Sequence, residues 1–132
     1  MDTITLLRPE GLVTSPAFSH VAVVPPGATT VYIGGQNAVD ADGRLIGAGD
    51  AAAQTRRVME NLLVALRAAD ARVADIVSMT ILVVDGVDLG AAYAEAAAVL
   101  DGAVSTVTVA RVAGLAVPGA LVEVNAVAAV MR

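Results

Sequence analysis

Two polar side chains interrupt an apolar run near the end of the chain. Glu123 and Asn125 lie between Ala120 and Val130, a segment rich in valine that is typical of a β-strand. Side chains alternate between the two faces of a strand, so Glu123 and Asn125 share one face. The other face carries Val122, Val124, Ala126, Ala128 and Val130. A carboxylate there can hold a water molecule and exchange protons with it, and an amide can orient a ligand.

Glu123 is therefore a candidate catalytic residue and Asn125 a candidate substrate-binding one. An alternative for Glu123 is an ion pair with an arginine of a neighbouring subunit. Asn125 has a structural alternative too, as a bridging group at an interface.

The residue types that are absent exclude several kinds of chemistry. The chain has no cysteine, no lysine and one histidine, His20. Thiol nucleophiles, disulfides, Schiff-base lysines and thiolate or multi-histidine metal centres are excluded, and we predict no metal site. His20 has the right pKa range for a general base, but a lone histidine near a strand start is more often structural, which is the interpretation we favour.

Charge and hydropathy limit the kinds of partner. Eight arginines and 13 acidic residues give a net charge of −5, and the arginines are scattered, so we expect no nucleic acid. No apolar run reaches the roughly 18 residues that span a bilayer, and the first residues do not read as a secretory signal. These features predict a cytoplasmic protein without a membrane partner.

The length of 132 residues fits one domain over residues 1–132. Hydrophobic residues make up 57% of the chain, with 28 alanines and 23 valines. So much apolar material in a small domain suggests that part of its surface is covered by another subunit. We expect an oligomer.

The first third of the chain reads as short strands and turns. We predict strands at Ile4–Leu7, Ser19–Val24 and Thr30–Ile33, with a hairpin connection at Pro25–Ala28. Gly34-Gly35-Gln36 should close the third strand. A tight turn at Asp40-Ala41-Asp42-Gly43 follows, and Arg44 to Ile46 returns from it.

The remainder alternates helices and strands. The first helix should run from Ala51 to about Ala71 with Asp50 as its N-cap, and the second should run through Leu100 with Asp88 as its N-cap. The predicted strands are Ile76–Val84, buried on both faces, then Ser105–Val112 and Ala120–Val130. This order predicts an α+β fold, a mixed sheet with both helices on one face and another subunit on the other.

Several segments in this order resemble the Rid family, the reactive intermediate imine/enamine deaminases, also called YjgF-like and formerly endoribonucleases L-PSP. The resemblance runs from about Ser15 to Val130. It is carried by Pro16-Ala17-Phe18-Ser19-His20, Tyr32-Ile33-Gly34-Gly35-Gln36, Ala53-Gln54-Thr55-Arg56, Asn61-Leu62, Tyr93-Ala94-Glu95, Ala103-Val104-Ser105-Thr106-Val107 and Gly119 to Glu123. The resemblance implies a chorismate-mutase-like homotrimer with a central barrel, substrate clefts between subunits and no cofactor.

In the family's active deaminases an arginine holds the substrate carboxylate and a glutamate is associated with the attacking water. Glu123 matches the glutamate, whereas Val104 occupies the arginine position. Phe18 replaces a usual tyrosine and Gly34 a common serine, while Gly35 matches the turn that ends the strand. The resemblance thus implies Phe18, Gly34, Gly35 and Val104 as substrate contacts.

Arg111 could substitute for the missing arginine. Positions 104 and 111 fall on opposite strand faces, however, so an interface ion pair is favoured for it.

Three hypotheses follow. The first is a divergent Rid protein that binds a small metabolite between subunits and hydrolyses an imine or enamine, but not the usual 2-iminopropionate. The second is a non-catalytic ligand-binding or regulatory protein on the same scaffold. The third and weakest is an endoribonuclease.

Overall fold

The computed structural model describes residues 3–132, and in that part of the chain six strands and two helices form one α+β domain. The elements are β1 (Thr5–Leu7), β2 (Val21–Val23), β3 (Ala28–Gln36), α1 (Ala51–Ala68), β4 (Ile76–Val84), α2 (Leu89–Leu100), β5 (Thr106–Val112) and β6 (Val122–Met131). Neither helix is long and apolar enough to cross a membrane, as far as the described residues go.

A four-stranded mixed sheet organises the domain. Its strand order is β3-β6-β4-β5, and β1 pairs with β2 in a separate small sheet. The β4–β5 pair is parallel, whereas β6 runs antiparallel to both β3 and β4. A parallel pair needs a crossover connection, and α2 supplies it between β4 and β5. The predicted mixed sheet is confirmed.

Both helices begin where the sequence predicts. The Asp50 carboxylate accepts a hydrogen bond from the Ala53 amide at 3.0 Å, which satisfies one of the unpaired amides of the first turn. Asp88 accepts a hydrogen bond from the Gly90 amide at 2.9 Å in the same way. The first helix ends at Ala68, earlier than predicted, and Asp70 just beyond it has a φ of 53° in the left-handed region.

The core lies between α1 and one face of the sheet. On α1 the fully buried stripe is Val58, Leu62 and Leu66, spaced at the helical period. Met79 and Val83 of β4 pack into the same cluster. The opposite face of the sheet has no helix over it in the described protomer, and Tyr32 of β3 is 80% exposed there.

One prediction about the N-terminal strands is wrong. Pro25–Ala28 is not a hairpin connection, because β2 pairs with β1 while β3 pairs with β6 in the other sheet. Gly34-Gly35-Gln36 closes the third strand as predicted, with an irregular register between Ile33 and Gln36. The turn signal between β2 and β3 predicts a change of direction but not which strand becomes the partner.

The prediction for β4 is half correct. The strand lies inside the sheet between β6 and β5, as an apolar nine-residue run suggests. One face is better covered than the other, because Met79 and Val83 are buried while Ser78, Thr80 and Leu82 are half-buried. The second face of β4 belongs to the helix-free face of the sheet.

Candidate functional site

Glu123 lies on the helix-free face of the sheet. It is the second residue of β6 and pairs in register with Leu82 of β4. Its neighbours Val122 and Val124 point the opposite way and are 1% and 2% exposed, whereas Glu123 is half-buried. The predicted division of β6 into an apolar face and a face with Glu123 and Asn125 is therefore confirmed.

The Glu123 carboxylate lies directly against the backbone of Gly35. A Cβ atom added to Gly35 would stand 2.8 Å from the carboxylate Oε2 and 2.9 Å from its Cδ. Gly34, one residue earlier, has open space at the corresponding position, with no atom within 4 Å. The glycine at position 35 thus leaves room for the carboxylate at the irregular end of β3.

No partner within residues 3–132 holds the Glu123 carboxylate, which makes neither a hydrogen bond nor an ion pair there. The ion pairs of the described protomer join Arg56 to Glu95 and Arg72 to Asp75, both away from this face. A carboxylate without an internal partner can accept hydrogen bonds from water, from a ligand or from a neighbouring subunit.

Asn125 lies two residues from Glu123 on the same face of β6, roughly 7 Å along the strand. Across the sheet it is in register with Thr80 of β4, which is in register with Thr108 of β5. These three side chains form a polar row beside Glu123. Sequence reasoning missed the two threonines, although the alternation of Ser78 and Thr80 with apolar residues in β4 signals a half-exposed face.

The other predicted contacts, Phe18 and Val104, lie near each other at the start of β5. The Ser19 amide donates to the Ser105 carbonyl at 3.0 Å, which joins the segment around Phe18 to the segment around Val104. Phe18 lines an apolar cavity under α2, and its ring meets the His20 ring edge-on at a centroid distance of 5.3 Å.

Within one protomer, Val104 and Glu123 lie at opposite ends of the sheet. Glu123 is level with Leu82, whereas the first residue of β5, Thr106, is level with Ser78. Four residues along a strand correspond to about 13 Å, and Val104 precedes the first residue of β5 by two positions. Val104 and Glu123 of one protomer therefore cannot contact the same small ligand.

His20 and Arg111 are held by backbone groups of their own protomer. The His20 Nε2 lies 2.6 Å from the Val13 carbonyl oxygen. Arg111 donates to the Val87 carbonyl at 3.1 Å, at the loop that leads into α2. It shares the helix-side face of β5 with Val107 and Val109, which line the cavity under α2, so it points away from Glu123. These contacts favour structural roles for both residues.

Gln54 holds the beginning of β6 in place. Its side chain is fully buried and donates to the carbonyls of Gly47 at 3.2 Å and Gly119 at 3.1 Å. Its Oε1 accepts from the Leu121 amide at 2.8 Å, two residues before Glu123. This network explains why α1 carries a polar residue toward the core.

Comparison with known proteins identifies the fold and the family. The Endoribonuclease L-PSP family model matches residues 11–130. A crystal structure of YyfB from Yersinia pestis, a Rid-family protein of unknown function, is 34% identical over 97% of this chain and 98% of its own, with a TM-score of 0.84. A Mycobacterium tuberculosis member of the YjgF/YER057c/UK114 family is 26% identical over 97% of this chain and 100% of its own, with a TM-score of 0.65.

A more distant structure agrees in fold. RidA from an Antarctic Psychrobacter is 23% identical over 88% of this chain and 96% of its own, with a TM-score of 0.68. The two helices and the mixed sheet are those of the YjgF-like fold. Since the family model covers most of the sequence and a relative matches almost its whole length, the chain belongs to the endoribonuclease L-PSP family, whose members are also called Rid proteins.

Proposed function

We propose that this protein binds a small metabolite in clefts between the subunits of a homotrimer and hydrolyses an imine or enamine there. The observation that carries the proposal is the Glu123 carboxylate, half-buried, without a partner in the described protomer and seated against Gly35 on the helix-free face. Such a carboxylate can hold a water molecule beside a bound ligand.

The reaction requires one water and no cofactor. Glu123 takes a proton from the water as its oxygen attacks the imine carbon, and the proton passes to the nitrogen. Collapse of the resulting carbinolamine breaks the carbon–nitrogen bond and releases ammonia and a carbonyl compound. An enamine enters the same route after protonation at carbon converts it to the imine. Asn125, with Thr80 beside it, would orient the polar end of the ligand.

Val104 determines the substrate class in this proposal. An arginine at that position could bind a substrate carboxylate through two charge-assisted hydrogen bonds, worth about 1.5 to 3 kcal/mol. Valine offers neither charge nor a donor. We therefore expect neutral imines to be better substrates than 2-iminopropionate and other imines derived from amino acids.

Ammonia release from a panel of neutral and carboxylate imines, generated in the assay by an amine or amino-acid oxidase, tests the catalytic role. Glu123→Ala should lose at least about a hundredfold in kcat/KM, in the range for loss of a general base. Glu60→Ala removes an exposed glutamate from the outer face of α1 and serves as the matched control. No turnover above buffer, or equal turnover by Glu123→Ala, would refute the catalytic proposal.

Two copies of the chain are needed to complete the proposed cleft. Glu123 and Gly35 lie at one end of the sheet and Val104 at the other, so one protomer would contribute the first group and its neighbour the second. In a cyclic trimer every interface joins two different surfaces, which brings such opposite ends together.

Mixing inactive subunits tests this arrangement. Val104→Asp should block the ligand at one end of the cleft, and Glu123→Ala removes the water-holding group at the other. Random trimers formed from equal amounts of the two variants should regain about one quarter of wild-type activity, because one cleft in four receives both intact groups. If both groups acted within one protomer, mixing would restore nothing.

A non-catalytic ligand-binding protein is the second candidate, favoured by the half-buried valine at position 104. Without a charged anchor, the cleft would bind a neutral metabolite and signal its presence. A metabolite that copurifies with the protein and is retained without turnover would support this alternative over the enzyme.

Ribonuclease activity, which the family's name suggests, is a weaker proposal. The net charge is −5, and within residues 3–132 six of the eight arginines already donate to groups of the same protomer. These six are Arg8, Arg56, Arg57, Arg72, Arg111 and Arg132. Binding to phosphates requires available cations, so a nuclease assay on extensively purified protein should show no RNA cleavage.

A further inference from the structure

An apolar cavity of about 350 Å³ lies between α2 and the sheet, on the face opposite Glu123. Its walls are formed by Met79 and Ile81 of β4, Val107 of β5, Phe18, and Ala92 and Ala96 of α2. Val122 and Val124 of β6 also line it, so Glu123 between them points away from the cavity.

The cavity follows from the small side chains of α2. This helix packs against α1, where Glu95 pairs with Arg56 at 2.8 Å, but makes few close contacts with the strands below it. The side chains that α2 directs inward include Ala92 and Ala96, 6% and 7% exposed. A methyl group cannot fill the space to the sheet that a leucine would fill.

The chemistry of the walls selects the ligand. Thr55 brings a hydroxyl to the lining, and that hydroxyl already donates to the Ala51 carbonyl at 2.8 Å. Among the described residues that line the cavity, none carries a charge. A charged ligand would lose its hydration without compensation, whereas an apolar ligand would replace few or no ordered waters.

The mouth of the cavity is open enough for entry. Leu89 and Tyr93 of α2 and Val109 of β5 line it and are 38%, 57% and 52% exposed in the described protomer. For scale, a dry cavity of about 150 Å³ lined by Leu, Ile and Phe binds benzene. About twice that volume accommodates a substituted aromatic ring or a short branched alkyl compound.

We propose that the cavity under α2 is a second binding site, independent of Glu123, for a small uncharged apolar molecule. The β-sheet separates the cavity from Glu123, whereas Phe18, one of the predicted substrate contacts, belongs to the cavity wall. Occupancy would tie α2 to the sheet.

Toluene and benzoate form a matched pair of probes, since they differ by a methyl group against a carboxylate. We expect toluene to bind and to shift the NMR methyl signals of Met79 and Val107, and benzoate to bind at least tenfold more weakly. Absence of toluene binding near its solubility limit, or equal binding of benzoate, would overturn the proposal.

A second experiment fills the cavity by substituting leucine for an alanine of α2. Ala96→Leu should weaken toluene binding more than tenfold, whereas Ala98→Leu, at an exposed position on the same helix, should leave it within twofold. Ala92→Leu repeats the test from one turn earlier if Ala96→Leu fails to fold. Undiminished binding by a folded leucine variant at either buried position would contradict the proposed location.

The catalytic role of Glu123 and the binding site under α2 can be tested independently of each other. Glu123→Ala should bind toluene like the wild type, because its side chain lies on the other side of the sheet. An inactive protein that binds toluene would leave the cavity proposal intact. Loss of toluene binding in Glu123→Ala would show that the two sites are not independent.

Discussion

Gly35→Ala tests whether the position of the Glu123 carboxylate matters for activity. The added Cβ would stand 2.8 Å from Oε2, whereas ordinary contacts begin near 3.4 Å. The carboxylate must therefore retreat by at least 0.6 Å, the difference between 3.4 Å and 2.8 Å. Because this atom is the flexible end of a side chain, the carboxylate can move without displacing the backbone.

The expected loss is kinetic rather than structural. A misplacement of about 1 Å in a reacting group can cost about a hundredfold, so we expect kcat/KM to fall by about tenfold or more. Gly35 does not have a left-handed backbone, and alanine restricts the unfolded chain, which favours folding by about 0.4 to 1 kcal/mol. The free energy of unfolding should therefore stay within about 1 kcal/mol of the wild-type value.

The measurement combines steady-state ammonia release with urea unfolding. Gly114→Ala is the matched control, because it introduces the same methyl group in an exposed loop with no atom within 4 Å. In a Glu123→Ala background the Gly35→Ala change should have no further effect, since the group it displaces is gone. A crystal structure with a displaced carboxylate and unchanged kcat/KM would refute the reasoning that Glu123 holds the attacking water.

Three further predictions concern other parts of the molecule. Val104→Arg should lower KM for carboxylate imines by about tenfold to a hundredfold while leaving neutral imines unimproved, which steady-state kinetics on both substrate types would check. Gln54→Leu should lower the free energy of unfolding by about 2 to 4 kcal/mol, because it leaves the Leu121 amide and two carbonyls without their partner; urea denaturation measures the difference. The hydrogen bond from Arg56, followed by the charge of Arg56, lowers the pKa of Glu95. This ion pair therefore stabilises the fold fully above the unfolded-state pKa of about 4.3, and the stabilisation is lost as the pH falls through the lower pKa of the folded state. A small melting-temperature advantage over Glu95→Gln should therefore be present at pH 7, disappear under acid and shrink in high salt.

Local signals in the sequence were sufficient for the helices and for the two faces of β6. Asp50 and Asp88 cap the helices because each offers a carboxylate to amides that have no partner inside the helix. The alternation around Glu123 predicts its face because side chains on a strand alternate strictly.

The partners of strands depend on long-range contacts that local patterns do not encode. Pro25 to Ala28 breaks the chain between two strands just as a hairpin turn would, but β2 joins β1 and β3 joins β6. For the same reason, the polar row of Asn125, Thr80 and Thr108 could not be predicted from the sequence. Thr80 reaches it only through the register of β4 with β6, which no short segment specifies.

The candidate site was predicted as a set of residues but not as an arrangement. Glu123 and Gly35 are 88 positions apart in sequence and come into contact because β3 pairs with β6. Phe18 and Val104 come together at the start of β5 through the Ser19 hydrogen bond, at the other end of the sheet. The sequence predicts these four residues as one site, whereas the sheet places Glu123 with Gly35 at one end and Phe18 with Val104 at the other.

The alanine and valine content has different consequences on the two faces of the sheet. Under α1, Leu62 and Leu66 fill the space above the valines, while under α2 the small Ala92 and Ala96 leave a cavity. On the other face no helix within residues 3–132 covers the strands, and we propose that a second copy of the chain covers that face. Glu123 lies on this face, and the group proposed to complete its cleft lies too far away within one protomer. Assembly would therefore bury the helix-free face and complete the cleft in the same step, so weakening the trimer should reduce turnover even where every site residue is intact.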